Sequence, residues 1–222
     1  MVLTGRCGFQ LRASRLAIKT EDYPLTAPMF LYLPARRLPA LARDFLAYTR
    51  SDAAQIVIRR AGFVDQAPEE VAINAQGDRF ANAITAAGEE TSLDELKRLV
   101  GTLGTRHRLS TSFRFRAGST LLDAQSLSNV QQLARALEAG KYDTRSVLFV
   151  GFSDGQGAAS ANRAIATRRA EAVRDAVVSA AETANLERVH VDIAAFGEAL
   201  PLACDETAWG RQANRRVEVW LR

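Results

Sequence analysis

The order of apolar patterns in the second half of the chain is the feature that most constrains the fold. Between Leu109 and Arg116 apolar and polar residues alternate, with Phe113 and Phe115 on the same face as Leu109, which predicts a half-buried strand. The pattern then predicts a helix over 127–137, a buried strand over 146–152, a helix from 158 to 182, and strands over 189–193 and 216–221. The order βαβαββ predicts an α/β fold with a small mixed sheet and both helices on one face.

The first 107 residues follow a different pattern. The segment Tyr23–Pro34 opens with helix-breaking prolines and continues with an apolar, aromatic run, which predicts an entry turn followed by a buried strand. Apolar stripes at helical spacing predict helices over 38–50 and 52–61. Residues 69–107 hold short amphipathic pieces separated by glycines, which predict a helical connector. We therefore divide the chain into an α/β region over 1–68, this connector, and a C-terminal domain over 108–222.

Charge and apolar content exclude two classes of function. The net charge of +4 is located in residues 1–68, which hold ten Lys and Arg against five Asp and Glu. Aromatic residues lie at core-like spacing rather than beside these basic residues, so we predict no nucleic-acid partner. No apolar run approaches the ~20 residues that cross a bilayer, so we predict no transmembrane segment. Because residues 1–11 also lack the pattern of an export signal, we expect Met1 to be an artificial or internal start within a longer, exported parent protein.

No arrangement typical of catalysis or of metal binding is present. His107 and His190 have no Ser or Cys nucleophile nearby in a strand–turn–helix context. The glycine-containing stretch at 155–157 lacks the Lys-Ser/Thr ending of a phosphate loop. Cys7 and Cys204 have no Cys or His neighbour at metal-ligand spacing. We therefore expect no enzymatic activity, no metal and no cofactor, and the sequence leaves open whether the two cysteines form a disulfide.

Three motifs carry more chemistry than packing requires. Residues 151–154 are Gly-Phe-Ser-Asp at a strand end, residues 162–170 place polar and basic side chains on a helix, and residues 214–218 are Asn-Arg-Arg-Val-Glu. Together they resemble, over about half of the chain, the C-terminal domain of OmpA-family proteins and of peptidoglycan-associated lipoprotein. The resemblance implies a periplasmic or outer-membrane-associated module that binds peptidoglycan. It also implies that Asp154 and Arg169 hold the diaminopimelate of a stem peptide.

The charges of diaminopimelate match that pair of residues. Diaminopimelate presents an ammonium and a carboxylate on one carbon, so its binder needs an anion and a cation close together, and a guanidinium takes a carboxylate in bidentate fashion. Asn162, Ile165 and Arg169 share one helix face because they are three and seven positions apart. Taken singly, Asp154 is as typical of a turn or helix-cap residue as of a binding residue. Arg169 is likewise as typical of a surface cation as of a binding residue. Their joint placement favours binding.

Further candidate ligand-binding residues flank this pair. The backbone N–H groups of Gly155 to Gly157 lie near a helix start, where they are candidate donors for a second carboxylate. Alternation with the following valine sends Arg215 and Arg216 to different sides of the last strand. We expect one of these arginines to line the groove and the other to pair with an acidic side chain.

Residues 1–68 have a resemblance of their own. The run at 23–34, together with Phe45, Ser51, Gln55 and the segment 61–64, is similar to the closing segment of phosphate-type periplasmic substrate-binding proteins. This resemblance implies an incomplete substrate-binding lobe. It gives an alternative function, a periplasmic phosphate- or anion-binding protein of an ABC transport system in which the OmpA-like domain is a scaffold. A third possibility is that the groove binds the carboxylate terminus of an envelope protein partner.

Overall fold

A computed structural model describes residues 2–4, 7–88, 91–116 and 119–222. Strands and helices alternate irregularly in the first half of the chain and regularly in the second. The elements are β1 (Val2–Thr4), β2 (Gln10–Arg12), α1 (Arg15–Lys19), α2 (Ala40–Thr49), α3 (Asp52–Arg60), β3 (Glu70–Val71), α4 (Gly77–Thr85), α5 (Leu93–Leu103), β4 (His107–Arg114), α6 (Ala124–Glu138), β5 (Ser146–Phe152), α7 (Ala159–Ala180), β6 (His190–Ala195), α8 (Ala208–Asn214) and β7 (Arg216–Leu221).

A five-stranded mixed sheet forms the centre of the fold. Its strand order is β3-β4-β7-β5-β6, with β5 parallel to β6 and β7 antiparallel to both β4 and β5. The last strand of the chain therefore lies between the first and second strands of the predicted βαβαββ unit. The predicted α/β class and the mixed sheet are confirmed, and α8 is a short helix inside the stretch for which the sequence predicted only a loop.

Helices α6 and α7 cover one face of this sheet. Val173 and Val177 of α7 are fully buried in the main core, together with Phe149 of β5 and Val219 of β7. Helix α7 lies directly on β5, because a Cβ atom on Gly151 would overlap the carbonyl of Ala166. This contact fixes the helix close above the end of β5, where the candidate site lies.

The opposite face of the sheet is also buried, so the prediction that β4 is half-buried is wrong. Helices α4 and α5 pack there, and Leu99 and Leu103 contact a second apolar cluster that includes the fully buried Trp220. Charged residues of the same face, Arg108 and Glu218, are also fully buried. Period-two alternation showed which side chains share a face, but it does not indicate whether another part of the chain covers the polar face.

The charged residues of this second face pair with one another in a network. Glu218 accepts hydrogen bonds from Arg79 at 2.5 Å and from Arg216 at 2.7 Å, and Arg108 lies 3.4 Å from its second oxygen. Burial by itself would raise the pKa of Glu218, but the three guanidinium groups outweigh it and hold that pKa well below its ordinary value. Asp22 reaches the same network through Arg108 at 2.6 Å, which attaches the segment after α1 to the sheet.

Residues 24–39 depart from the prediction most clearly. The expected buried strand within Tyr23–Pro34 is wrong: the structure has neither strand nor helix over 24–39, and Tyr32 is 91% exposed. A strand needs a neighbour for its backbone hydrogen bonds, and no strand among the described residues lies beside this segment. Helices α2 and α3 form as predicted. Among the described residues, no helix combines the length and apolar character needed to cross a bilayer.

Candidate ligand-binding site

The candidate site is built where β5 ends, beneath the first half of α7 and beside the start of β7. Asp154 follows β5 by two residues, Arg169 projects from α7, and Arg215 immediately precedes β7. Arg215 Nη1 donates a hydrogen bond to Asp154 Oδ2 at 2.5 Å. The three charged residues that the sequence separates by up to 61 positions thus lie in one place.

Arg169 is the most unusual residue of this group. Its side chain is 2% exposed, its guanidinium carbon lies 5.2 Å from the centre of the Phe115 ring, and its Nε and Nη1 atoms have no acceptor among the described residues. Burial lowers the pKa of Arg169, the charge of Arg215 lowers it further, and Asp154 opposes both effects. A buried guanidinium with unused donors is costly for the protein, so the arrangement favours an anion at this position.

Asn162 and Ile165 lie on the same face of α7 as Arg169. Asn162 is 5% exposed, and its amide nitrogen donates to Glu198 Oε2 at 2.8 Å and to the carbonyl of Gly157 at 3.3 Å. It therefore ties the start of α7 to the loop after β6. Ile165 is partly buried and supplies an apolar surface beside the charged pair.

The two glycines of the loop after β5 differ from each other. Gly155 already donates its N–H to Asp205 Oδ2 at 2.6 Å, so this N–H is not the free ligand donor that the sequence suggested. Gly157 has a φ of 95°, a left-handed conformation that favours glycine, and no atom would contact a Cβ placed on it. The loop is thus held at Gly155 and turns at Gly157 into helix α7.

The two consecutive arginines point to different sides of the sheet. Arg215 joins Asp154, whereas Arg216 is fully buried on the other face, where it donates to Glu218 and, at 2.8 Å, to the carbonyl of Leu200. Arg216 therefore does not line the site, which corrects its inclusion among the candidate ligand-binding residues. The physical reason is the alternation of β7, which places neighbouring side chains on opposite faces.

The second half of the chain is similar to proteins of a known family. Residues 114–215 match the model of the OmpA family. The second half of the chain contains an OmpA-like domain. Outer membrane porin F of Pseudomonas aeruginosa is 31% identical over 112 residues, which are 50% of this chain and 31% of the porin. Outer membrane protein A of Bordetella avium is 35% identical over 95 residues, 43% of this chain and 44% of that protein. The chain thus spans less than half the length of these two relatives.

Among solved structures, the peptidoglycan-associated lipoprotein from Burkholderia pseudomallei is similar to this chain. It is 26% identical, the match covers 50% of this chain and 89% of the lipoprotein, and the TM-score is 0.43. Asp154, Arg169 and Arg215 all lie within the matched range of the OmpA-like domain.

Sequence reasoning missed three features of the OmpA-like domain. Asp205 and Glu198 hold the two ends of the loop after β5, and both come from irregular segments in which no periodicity indicates where a side chain points. The third is a disulfide between Cys7 and Cys204, residues 197 positions apart, which the sequence left open. It attaches the β1–β2 hairpin to the loop that carries Asp205.

Proposed function

We propose that the OmpA-like domain binds a peptidoglycan stem peptide non-covalently, through diaminopimelate, and thereby anchors an envelope protein to the cell wall. The observation that carries this proposal is the buried guanidinium of Arg169, whose unused donors lie within electrostatic reach of the Asp154 carboxylate. One cation and one anion in the same site match in charge the carboxylate and ammonium that diaminopimelate carries on a single carbon.

The two charges of the ligand meet different conditions in this site. Its carboxylate finds Arg169, which has no other acceptor among the described residues. Its ammonium competes with Arg215 for Asp154, because those two side chains already form an ion pair. The carboxylate is therefore expected to contribute more to affinity than the ammonium. No bond is made or broken in this interaction, so the module acts by binding alone.

The proposed location is the periplasm, next to the outer membrane. The two curated relatives described above are named as outer-membrane proteins, and a module of this family would contact the wall from the periplasmic side. Other envelope proteins are proposed partners in the same compartment. A disulfide between Cys7 and Cys204 is consistent with an oxidising compartment.

The alternative of a phosphate-binding protein finds no support in the first third of the chain. The cations that line its cleft, Arg15, Lys19 and Arg59, are already paired. Arg15 contacts Glu69 at 2.9 Å, and Asp65 accepts from Lys19 at 2.9 Å and lies 3.3 Å from Arg59. An incoming anion would have to displace these carboxylates.

The proposal is tested by co-sedimentation of the full chain with purified peptidoglycan of the diaminopimelate type. Arg169→Gln removes the charge and keeps a polar but shorter side chain, and we expect it to abolish sedimentation. Truncating one partner of a buried charge pair costs about 2–5 kcal/mol of binding free energy. Asp154→Ala is expected to weaken sedimentation in the same way.

Arg174→Gln is the matched control, since Arg174 lies on the same helix but pairs with the exposed Asp175. It should sediment like the wild type, and thermal melts should show that all variants fold. Peptidoglycan with lysine in place of diaminopimelate tests the ligand, because it lacks the second carboxylate. Wild-type sedimentation by both site variants would rule out this site.

A further inference from the structure

Asp205, in the loop between β6 and α8, connects two parts of the site without belonging to the charged group itself. Its Oδ2 atom accepts a hydrogen bond from the backbone N–H of Gly155 at 2.6 Å. Its Oδ1 atom accepts one from the side-chain amide of Asn214 at 2.7 Å. A single carboxylate therefore joins the loop after β5 to the residue at the end of α8.

These two partners are the neighbours of the ion pair in the candidate site. Gly155 follows Asp154, and Asn214 precedes Arg215. We propose that Asp205 is a positioning residue that sets the separation between Asp154 and Arg215 and so shapes the site for its ligand. This inference rests on the proposed function, since it assumes that the site binds diaminopimelate.

Asp205 is itself held in place by contacts with helix α8 and with its own loop. Its backbone carbonyl accepts a hydrogen bond from Arg211 Nη1 at 2.6 Å, and the residue before it, Cys204, is bonded to Cys7. Asn214 also accepts hydrogen bonds from the N–H groups of Leu202 and Ala203, at 2.7 and 3.1 Å. The carboxylate is thus a fixed reference point, and the loop after β5 adapts to it.

The two loops approach so closely at position 155 that a larger residue there would displace either the loop or the Asp205 side chain. A Cβ atom on Gly155 would lie 2.7 Å from Asp205 Oδ2, closer than such contacts normally occur. Ordinary side chains at this position would push the loop, and with it Asp154, away from the carboxylate. The sequence thus keeps the smallest residue at the point where Asp205 reaches the loop.

The consequence for binding follows from the charges. When Asp205 holds both loops, Arg215 pairs with Asp154, and Arg169 keeps its donors for the ligand. When the loop after β5 is released, Asp154 is free to move relative to both arginines, and the spacing that matches one ammonium and one carboxylate is lost. We therefore expect loss of Asp205 to weaken affinity without removing any ligand-contacting group.

The test is calorimetric titration of the full chain with a soluble stem tripeptide that contains meso-diaminopimelate. Asp205→Ala is expected to raise Kd about tenfold, the size expected for losing hydrogen bonds to a charged group. Asp205→Asn keeps an acceptor for Gly155 but faces Asn214 with a second amide donor, so it should give a smaller increase. Asp175→Ala, which removes an exposed carboxylate of α7, is the control and should bind like the wild type.

A double-mutant cycle separates positioning from general destabilisation. If Asp205 acts through the Asp154–Arg215 pair, then Asp205→Ala should change Kd much less in an Arg215→Ala background than in the wild type. Equal effects in the two backgrounds would overturn the inference, as would unchanged Kd values for Asp205→Ala and Asp205→Asn. A wild-type chain that fails to bind the tripeptide would overturn the proposed function together with this inference, so the two failures are distinguishable.

Discussion

Helices α2 and α7 carry similar apolar stripes, yet the structure uses them in opposite ways. In α7, Val173 and Val177 are fully buried against the sheet, whereas in α2, Leu41 is 81% and Phe45 is 55% exposed. The stripe of α2 consists of larger side chains (Leu, Phe and Tyr) than that of α7 (Val and Ala), so the difference in burial comes from what surrounds each helix and not from a weaker stripe. An amphipathic pattern therefore predicts which face of a helix is stabilised by burial, but it does not predict which element packs against that face.

The contrast extends to the two regions that contain these helices. Residues 108–222 surround a core that α6 and α7 close on one face of the sheet. Residues 24–63 contribute mainly exposed apolar side chains, among them Met29 at 76% and Tyr32 at 91%. Regions with few buried apolar contacts open locally at low free-energy cost. We therefore expect the stability of the chain to be determined by the OmpA-like domain.

The largest expected effect comes from the same substitution made in both regions. Phe149→Ala removes a fully buried ring from β5 and should lower the free energy of unfolding by about 3–5 kcal/mol. Phe45→Ala removes an exposed ring from α2 and should change it by less than about 0.5 kcal/mol. Urea titration measures both, with the fluorescence of the two tryptophans, Trp209 and Trp220, as the probe. Similar losses for the two variants would show that α2 is covered and would remove the contrast.

The contrast also explains how far the sequence predicted the fold. The strands of residues 108–222 and the helices α6 and α7 could be predicted because at least one face of each lies in the core, so burial leaves a regular apolar pattern in the sequence; the short helix α8 was not predicted. The run at 29–33 has the composition of a buried strand, but a strand is stable only beside another strand, and composition does not report a missing neighbour. The full burial of Arg108 was not predicted either, because its partners are Asp22 and the carbonyl of Thr20, which lie more than 80 positions upstream.

The candidate site likewise contains residues that the sequence predicted and one that it did not. The resemblance to the OmpA family indicated Asp154 and Arg169, and the predicted strand end and helix face placed them on the same side of the fold. Whether they bind diaminopimelate stays a prediction. Asp205 was not predicted, because it lies in a loop whose course depends on contacts with residues 50 positions upstream. Regular elements thus indicate which residues form a site, and irregular segments determine how they are spaced.

The next effect is smaller and compares a buried carboxylate with an exposed one. Glu218 has a pKa held well below its ordinary value of 4.5, so its contribution to stability is present above that pH and is lost as the pH falls. Glu218→Gln should lower the free energy of unfolding by about 1.5–3 kcal/mol at pH 7. The difference in free energy of unfolding between the wild type and Glu218→Gln should become smaller as the pH is lowered from 6 to 3.

Glu69 supplies the control for this experiment. It pairs with Arg15 and is 38% exposed, so Glu69→Gln should cost at most about 1 kcal/mol. Urea titrations at several pH values, again followed by tryptophan fluorescence, measure both variants. If the difference in free energy of unfolding between Glu218→Gln and the wild type stays constant across this range, the stabilising contribution of Glu218 does not depend on its ionisation.

The smallest expected effect on stability tests the exposed side of the comparison directly. Replacing Leu41 and Phe45 with Ser removes two large apolar side chains from α2 without opening a cavity, because neither is buried. The free energy of unfolding should change by less than about 0.5 kcal/mol, while the binding of a fluorescent dye that reports exposed apolar surface should fall clearly.

Leu127→Ser is the matched control, since Leu127 is 53% exposed on α6. Because α6 contributes only this one large exposed apolar side chain, its replacement should reduce dye binding much less. If the two variants reduce dye binding equally, exposed apolar surface is not concentrated in α2, and the difference between the regions lies in packing alone.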